Sequence, residues 1–438
     1  MEIDKTTLND LSIFNGEEDF SILSKLNHTL TTNGKEQLRK TLATPLQKIE
    51  DIRDVQATLQ LILRKEAQWP MVVSNGTIMV VERFYEYNFD LLPNTVTSLT
   101  ALNYKMLHGP DYSLIKYSII HCFDFIKGIQ QFIERYLTPT TPTPMRKYLE
   151  IAQKSIAAEP LKIIFENKNS EDLSIPQQLQ LGQFIRYHYK NNMLTLLAIH
   201  AQLDAWYGMA MTVKNMDLVF PEFIESDAPI VEVKGLYHLL LQKAVPYDLN
   251  MNRATNFVFL TGANMAGKST FIKAVGTAVF LAHIGMGVPA QQMQLSLFDG
   301  MLSNINVIDN ISKGESYFYN EVQRIKATIS KVNDKRKWLI LIDELFKGTN
   351  VQDAMKCSTT VIEGLLKIKN SLFILSTHLY EIGEDLKKHS NISFNYFETN
   401  THNGQLSFNY QLRDGISNDR LGYLILEREG VTQMLKDL

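Results

Sequence analysis

Apolar residues over the first 235 or so positions recur at three- and four-residue spacing. From about residue 236 they gather instead into short continuous runs that end in polar residues. The first pattern predicts amphipathic helices. FDFIKGIQQFIERYL (123–137) and FIRYHYKNNMLTLLAIHAQLDAWYGMAM (184–211) carry it most clearly. The second of these has no Pro or Gly before Gly208 and is predicted to run for many turns as a strut. Between them, the three prolines of TPTTPTPM (138–145) forbid a helix and predict an extended surface connector. The later pattern predicts strands buried on both faces of a mainly parallel sheet: NFVFLTG (256–262), KWLILIDE (337–344) and SLFILSTH (371–378). Such sheets bind ligands at the carboxyl ends of their strands, so the three polar tips are expected to converge. The chain is therefore read as an all-α domain over 1–235 followed by an α/β domain over 236–438.

Composition narrows the function classes. A length of 438 residues exceeds one ordinary domain and allows two or three. No stretch approaches the ~18 to 20 uninterrupted apolar residues of a membrane span, and MEIDKTTLNDLSIF has no basic-then-apolar export signal. Cys122 and Cys357 stand far apart without metal-like spacing, which fits a reducing cytoplasm. A cytoplasmic protein with no membrane partner is expected. The formal charge of −3 excludes a uniformly basic nucleic-acid binder and leaves room for a local basic face, for which Lys35, Arg39 and Lys40 are candidates.

The chemistry begins at GANMAGKST, Gly262 to Thr270, which satisfies the phosphate-loop pattern and stands between a predicted strand and a predicted helix. Gly262 and Gly267 let the backbone curl so that N–H groups point inward, and the helix N-terminus favours an anion. Lys268 is expected to reach the β and γ phosphates of ATP, and the Ser269 hydroxyl to ligate Mg²⁺. At the tip of WLILIDE, Asp343 is expected to hold the same Mg²⁺ through water and Glu344 to deprotonate the attacking water. His378, at the third tip, is a candidate γ-phosphate sensor, against the plainer reading of a hydrogen-bonded loop residue. In DNISKGESYFYNEVQRIKATI (309–329), Ser316 after Gly314 reads as a helix cap or as an anion site at a helix N-terminus.

Taken together these segments resemble the MutS family of ATPases, a branch of the ABC class. The phosphate loop is similar to that family's GPNMGGKST, with Asn264 and Met265 matching and Ala263 and Ala266 departing. GESYF (314–318), with Glu321 following, is similar to GRSTF, with Glu315 in place of the Arg. IDELFKGTN (342–350) resembles DEIGRGTS, STHLYEI (376–382) resembles ATHYFEL, and LAHIGMGVPA (281–290) resembles the stretch ending in VPA. The hairpin around Asn403 and Gly404, with LRDGISNDRLGYLILEREGV (412–431), looks like the close of the same domain. LNHTLTTNGKEQLRKTLATPLQKIEDIR (26–53) is similar to the opening of the family's core domain, matching at Thr32, Gly34, Leu38, Arg39, Leu42, Pro45 and Leu46.

The resemblance implies an ABC-type P-loop ATPase domain, ending in a short helical dimerisation segment, preceded by an all-α core and lever domain. It places Gly262, Asn264, Gly267, Lys268, Ser269 and Thr270 at ATP, Ser269 and Asp343 at Mg²⁺, and Glu344 and His378 in catalysis. It further implies a head-to-tail homodimer in which Ser316 of one chain completes the other's site in trans. A short form is expected, without mismatch-recognition, connector or nuclease-type domains and with a reduced or absent DNA clamp. FYE at Phe84 to Glu86 echoes the family's mismatch-reading Phe and Glu but falls in the helical region. The family's adenine-stacking aromatic aligns near Ala244, with Tyr247 the nearest substitute. The function implied is an ATP-dependent clamp on branched or distorted DNA in repair or recombination. An ATPase acting on RNA or ribosomes, or one holding a protein partner, remains open.

Overall fold

The computed structural model describes residues 1–14, 20–88, 92–93, 95–306, 317–402, 405–417 and 430–436. The chain opens with β1 (Glu2–Ile3), α1 (Lys5–Asp10) and α2 (Ile22–Leu26), and continues through α3 (Thr32–Leu42) and α4 (Ile49–Arg64). Helices α5 (Asn75–Phe84), α6 (Ser98–Leu107), α7 (Gly109–Tyr136), α8 (Thr143–Ile156), α9 (Lys162–Glu166), α10 (Ile175–His188) and α11 (Lys190–Asn215) follow. Then come β2 (Glu222–Ile224), β3 (Val231–Leu236), β4 (Tyr247–Met251), β5 (Phe257–Thr261), α12 (Lys268–Ile284), β6 (Gln292–Ser296), β7 (Gly300–Asn304) and α13 (Tyr317–Val332). The chain closes with β8 (Trp338–Asp343), α14 (Val351–Leu365), β9 (Ser371–Ser376), α15 (Glu381–Leu386), β10 (Ile392–His402), β11 (Gln405–Asp414) and α16 (Val431–Lys436).

These elements form two compact units. One comprises Met1–Lys25, Thr44–Ile52 and Asn215–Leu438, and the other Leu26–Ala43 and Arg53–Lys214. The contacts thus divide the chain at other points than the single boundary expected near 235. The reason is long-range pairing: β1 adds to a sheet edge parallel to β7, and the buried Asp10 carboxylate accepts from Ser303 Oγ at 2.5 Å and Ile305 N at 3.1 Å. Residues at the chain's start are therefore built into the α/β unit.

In the helical unit, the side chain of Thr31 caps α3 through Gly34 N, and Asp204 of α11 accepts from Leu30 N, Thr31 N and Thr31 Oγ1. The apolar face of α7 buries Phe123, Phe125, Phe132 and Ile126, as its periodicity predicts. The structure departs from two expectations. The strut over 184–211 is broken at Tyr189, whose ring is fully buried with its hydroxyl bonded to Ser155 O at 2.8 Å; tertiary packing ends α10 where no Pro or Gly does. The segment 138–145 is not extended throughout, because α8 starts at Thr143 with a proline in its first turn, where the missing N–H costs nothing. Phe84, of the FYE sequence, is fully buried at the end of α5.

The α/β unit carries a seven-stranded sheet in the order β1-β7-β8-β9-β5-β10-β11, parallel except for the β10–β11 hairpin. Strands β5 and β9 are buried at every position, as two-sided cover by helices requires. A second sheet, β2-β6-β3-β4, alternates buried and exposed residues in β3 and β4 and so is covered on one face. The all-α region followed by an α/β region agrees with the expected fold class. No helix among the described residues is long and apolar enough to cross a membrane.

Candidate functional site

The phosphate loop leaves β5 at Thr261 and enters α12 at Lys268. Gly262 has φ +136° and Gly267 φ +111°, backbone regions open chiefly to glycine, and a Cβ on Gly262 would lie 3.3 Å from Phe397 N and O. The first-turn amides of α12, which have no partner within the helix, open toward this loop. Lys268 folds back so that Nζ donates to Gly262 O at 2.6 Å and Ala263 O at 2.9 Å. Its side chain is buried, and that burial pulls its pKa down to about 8, with Asp343 and Glu344 opposing the shift.

Parallel register aligns the strand tips. Leu260 of β5 pairs with Ser376 of β9, which pairs with Asp343 of β8. Asp343 is the meeting point: Oδ2 accepts from Ser269 Oγ at 2.5 Å, and Oδ1 accepts from Ser376 Oγ. Glu344 leaves the strand in the left-handed region, φ +69°, with its N–H held by Ser376 O at 3.0 Å. Lys347 Nζ lies 3.3 Å and His378 Nε2 3.9 Å from Glu344 Oε2. Burial, and then the charge of Lys268, hold the His378 imidazole below its ordinary pKa, while Glu344 pulls the other way. A neutral ring follows near neutral pH, suited to a hydrogen bond rather than an ion pair.

A cleft of about 450 Å³ lies over these tips. Asn264, Gly267, Lys268, Ser269, Thr270, Asp343, Glu344 and His378 all line it, while Gly262 supplies the carbonyl beneath Lys268. Ser316, with Gly314, Glu315, Asn403 and Gly404, lies outside the described residues. The paired oxygens of Ser269 and Asp343 are the donors Mg²⁺ takes together with substrate phosphates and water. Among the described residues no group of three or more His, Cys, Asp or Glu side chains is placed to hold a metal by itself. A larger depression of about 650 Å³ lies over the four-stranded sheet, but its rim of Glu222, Glu232, Lys234 and Asp248 brings together no phosphate loop and no strand tips.

Comparison with known proteins places the C-terminal segment. Residues 258–435 match MutS domain V. That segment belongs to the MutS domain V family. MutS domain V is an ATPase domain, and it makes up most of the chain's C-terminal half. The DNA mismatch repair protein MutS of Geobacillus kaustophilus (strain HTA426) is 29% identical over 311 residues, covering 69% of this chain and 32% of that protein. MutS of Lactococcus lactis subsp. cremoris (strain SK11) is 28% identical over 253 residues, 56% of this chain and 30% of that protein. The DNA mismatch repair protein MSH3 of Vanderwaltozyma polyspora is 28% identical over 302 residues, 67% of this chain and 28% of that protein. The chain spans about a third of the length of these curated relatives.

Lys347 and Tyr410 are among the cleft-lining residues that the sequence did not single out. Lys347 was legible as the Lys standing for Arg in the family's DEIGRGTS. Tyr410, at φ +54° in β11, carries no local signal, because only the pairing of β11 with β10 brings it here. Tyr247 also lines the cleft, but its ring is packed edge-on against Phe271 at 5.4 Å and Phe397 at 5.6 Å. Ala244 lies between Lys243 and Val245, which line the same wall.

Proposed function

We propose that the ATPase domain binds ATP with Mg²⁺ in the cleft around Lys268 and hydrolyses it with Glu344 as general base, and that the helical unit couples this cycle to a grip on branched or distorted DNA. The observation that carries the first part is the convergence of Lys268, Ser269, Asp343, Glu344 and His378 on one cleft at the ends of three adjacent parallel strands. Ser269 and Asp343 would hold the Mg²⁺, whose charge offsets that developing on the phosphate oxygens. Lys268 exchanges its two carbonyl partners for β and γ phosphate oxygens. Glu344 takes the proton of the attacking water, and His378 donates a hydrogen bond toward the γ phosphate. Asn264, Gly267 and Thr270 line the phosphate end, with Gly262 below, while Tyr410, Leu241 and Val245 form the wall for the base.

Two copies pack head to tail in this reading, so that the Ser316 segment of each closes over the other's ATP. ATP binding then closes the interface, and the long helices carry the closure outward. Helix α7, with 28 residues, and α11, with 26, are each about 40 Å long and suit that lever role. The DNA part rests on the relatives, which are named as DNA mismatch repair proteins.

The test is a panel of duplex, four-way junction and RNA, with binding measured across a salt series with and without ATP and the ATPase rate measured alongside. Junction DNA should bind with an affinity that falls linearly in log salt and should change the ATPase rate. If none of the three changes that rate, the nucleic-acid reading falls and the helical unit is left to hold a protein.

A further inference from the structure

The loop after β8 bends twice through the left-handed region, at Glu344 (φ +69°) and at Phe346 (φ +60°). Phe346 stands where the family's DEIGRGTS has glycine, so the second bend is made by a residue that does not favour it. Contacts must hold it in place. The Phe346 ring is buried and lies 5.7 Å from that of Phe318 in α13. One turn further along the same helix, Glu321 is buried at 4% exposure, and its two oxygens divide between two successive amides. Oε1 accepts from Lys347 N at 3.1 Å and Oε2 from Gly348 N at 3.3 Å. Successive backbone N–H groups converging in this way form a nest for an anion, and here the anion is the protein's own carboxylate. Burial pushes that carboxyl upward in pKa, and the amides together with the Lys347 charge pull it back.

We propose that Glu321 is a positioning residue for Glu344: by filling the amide nest at 347–348 it fixes the backbone that aims the Glu344 carboxylate into the cleft. On the other side Glu344 N is anchored by Ser376 O at 3.0 Å, so the residue is held between β9 and α13. Helix α13 follows directly on the segment that carries Ser316. The same helix that is read as reaching toward a partner's ATP therefore holds the base of its own site. The inference rests on the reading of Glu344 as that base.

The test compares kcat, KM and equilibrium ATP affinity for the full chain and for E321A, E321Q, E344Q and E321A/E344Q. E321A should lower kcat by about 10- to 100-fold, the scale of a small misplacement of a catalytic group, while ATP affinity stays within about twofold. E321Q retains one acceptor and should fall between E321A and wild type. E321A/E344Q should be no slower than E344Q, because both changes act on one group. A kcat for E321A within twofold of wild type would overturn the proposal, as would an equal loss of affinity and kcat, or a further tenfold loss in the double variant. If E321A does not fold, the near-isosteric E321Q decides by the same criteria. Turnover retained by E344Q overturns the base assignment beneath the inference, whereas an inactive E344Q beside a wild-type E321A overturns the positioning role alone.

Discussion

Ser269 donates its hydroxyl proton to Asp343 Oδ2 over 2.5 Å, tying the first turn of α12 to the tip of a strand two places along the sheet from β5. Ser376, on the strand between, donates to the other carboxylate oxygen. Both Asp343 oxygens are thereby fixed before any ligand arrives, and preorganised donors of this kind lower the cost of building a metal and phosphate site.

Asp343→Asn replaces one of those oxygens with an amide that cannot accept from a hydroxyl or bind a cation. Hydrolysis measured across a Mg²⁺ titration should fall at least about 100-fold and should not recover at high Mg²⁺. Wild-type turnover at the same Mg²⁺ concentration would remove Asp343 from the metal site.

Tyr410 is 41% exposed on the cleft wall, while Tyr247 is locked by its neighbours. Stacking of a base on an aromatic ring is worth about 1 to 3 kcal/mol. Tyr410→Ala should therefore weaken ATP binding about tenfold or more, and Tyr410→Phe should leave it unchanged. Equal affinity in all three proteins would place the base elsewhere.

His283 is fully buried, with Nδ1 set against Val279 O at 2.9 Å and Nε2 accepting from Phe298 N at 3.0 Å, which fixes a neutral ring protonated at Nδ1. Burial lowers its pKa from 6.5 to about 3. Between those values the unfolded chain takes up a proton that the folded chain refuses. The stabilisation is complete above pH 6.5 and is lost as pH falls toward 3, by up to about 1.4 kcal/mol per pH unit. His283→Gln should be less stable at pH 7 by about 1 to 2 kcal/mol yet show a flatter decline in urea unfolding between pH 6.5 and 4. Parallel declines would show that another group carries the acid sensitivity.

Asp10 joins the α/β unit from far away in sequence. Besides Ser303 and Ile305, it accepts from Asn306 N at 3.2 Å and faces Arg324 at 3.5 Å. Asp10→Ala would leave a partly buried guanidinium and two amides without their anion, costing about 3 kcal/mol in thermal or urea unfolding. A loss under about 1 kcal/mol would mean that solvent replaces the carboxylate freely.

The phosphate loop and the three strand tips were legible because each depends on local order: an apolar run, then polar residues, in a sheet whose register does the rest. Lys268, Ser269, Asp343, Glu344 and His378 meet for that reason. Asp10 and β1 were not legible as part of this unit, since nothing in MEIDKTTLND announces a pairing about 300 residues away. Tyr189 ends a helix through a buried hydroxyl contact, which no breaker residue signals. Glu321 was legible only as a match to the Glu that follows the GRSTF-like segment, and its grip on Lys347 N and Gly348 N exists only in three dimensions.

The central claim, that Glu344 removes the proton from water at an ATP site built on Lys268, is tested most directly by Glu344→Gln. ATP affinity and turnover should be measured on the same preparation. The account predicts wild-type affinity, turnover reduced at least about 100-fold, and accumulation of an ATP-bound dimer. Turnover within a few-fold of wild type, with ATP still bound, would contradict it.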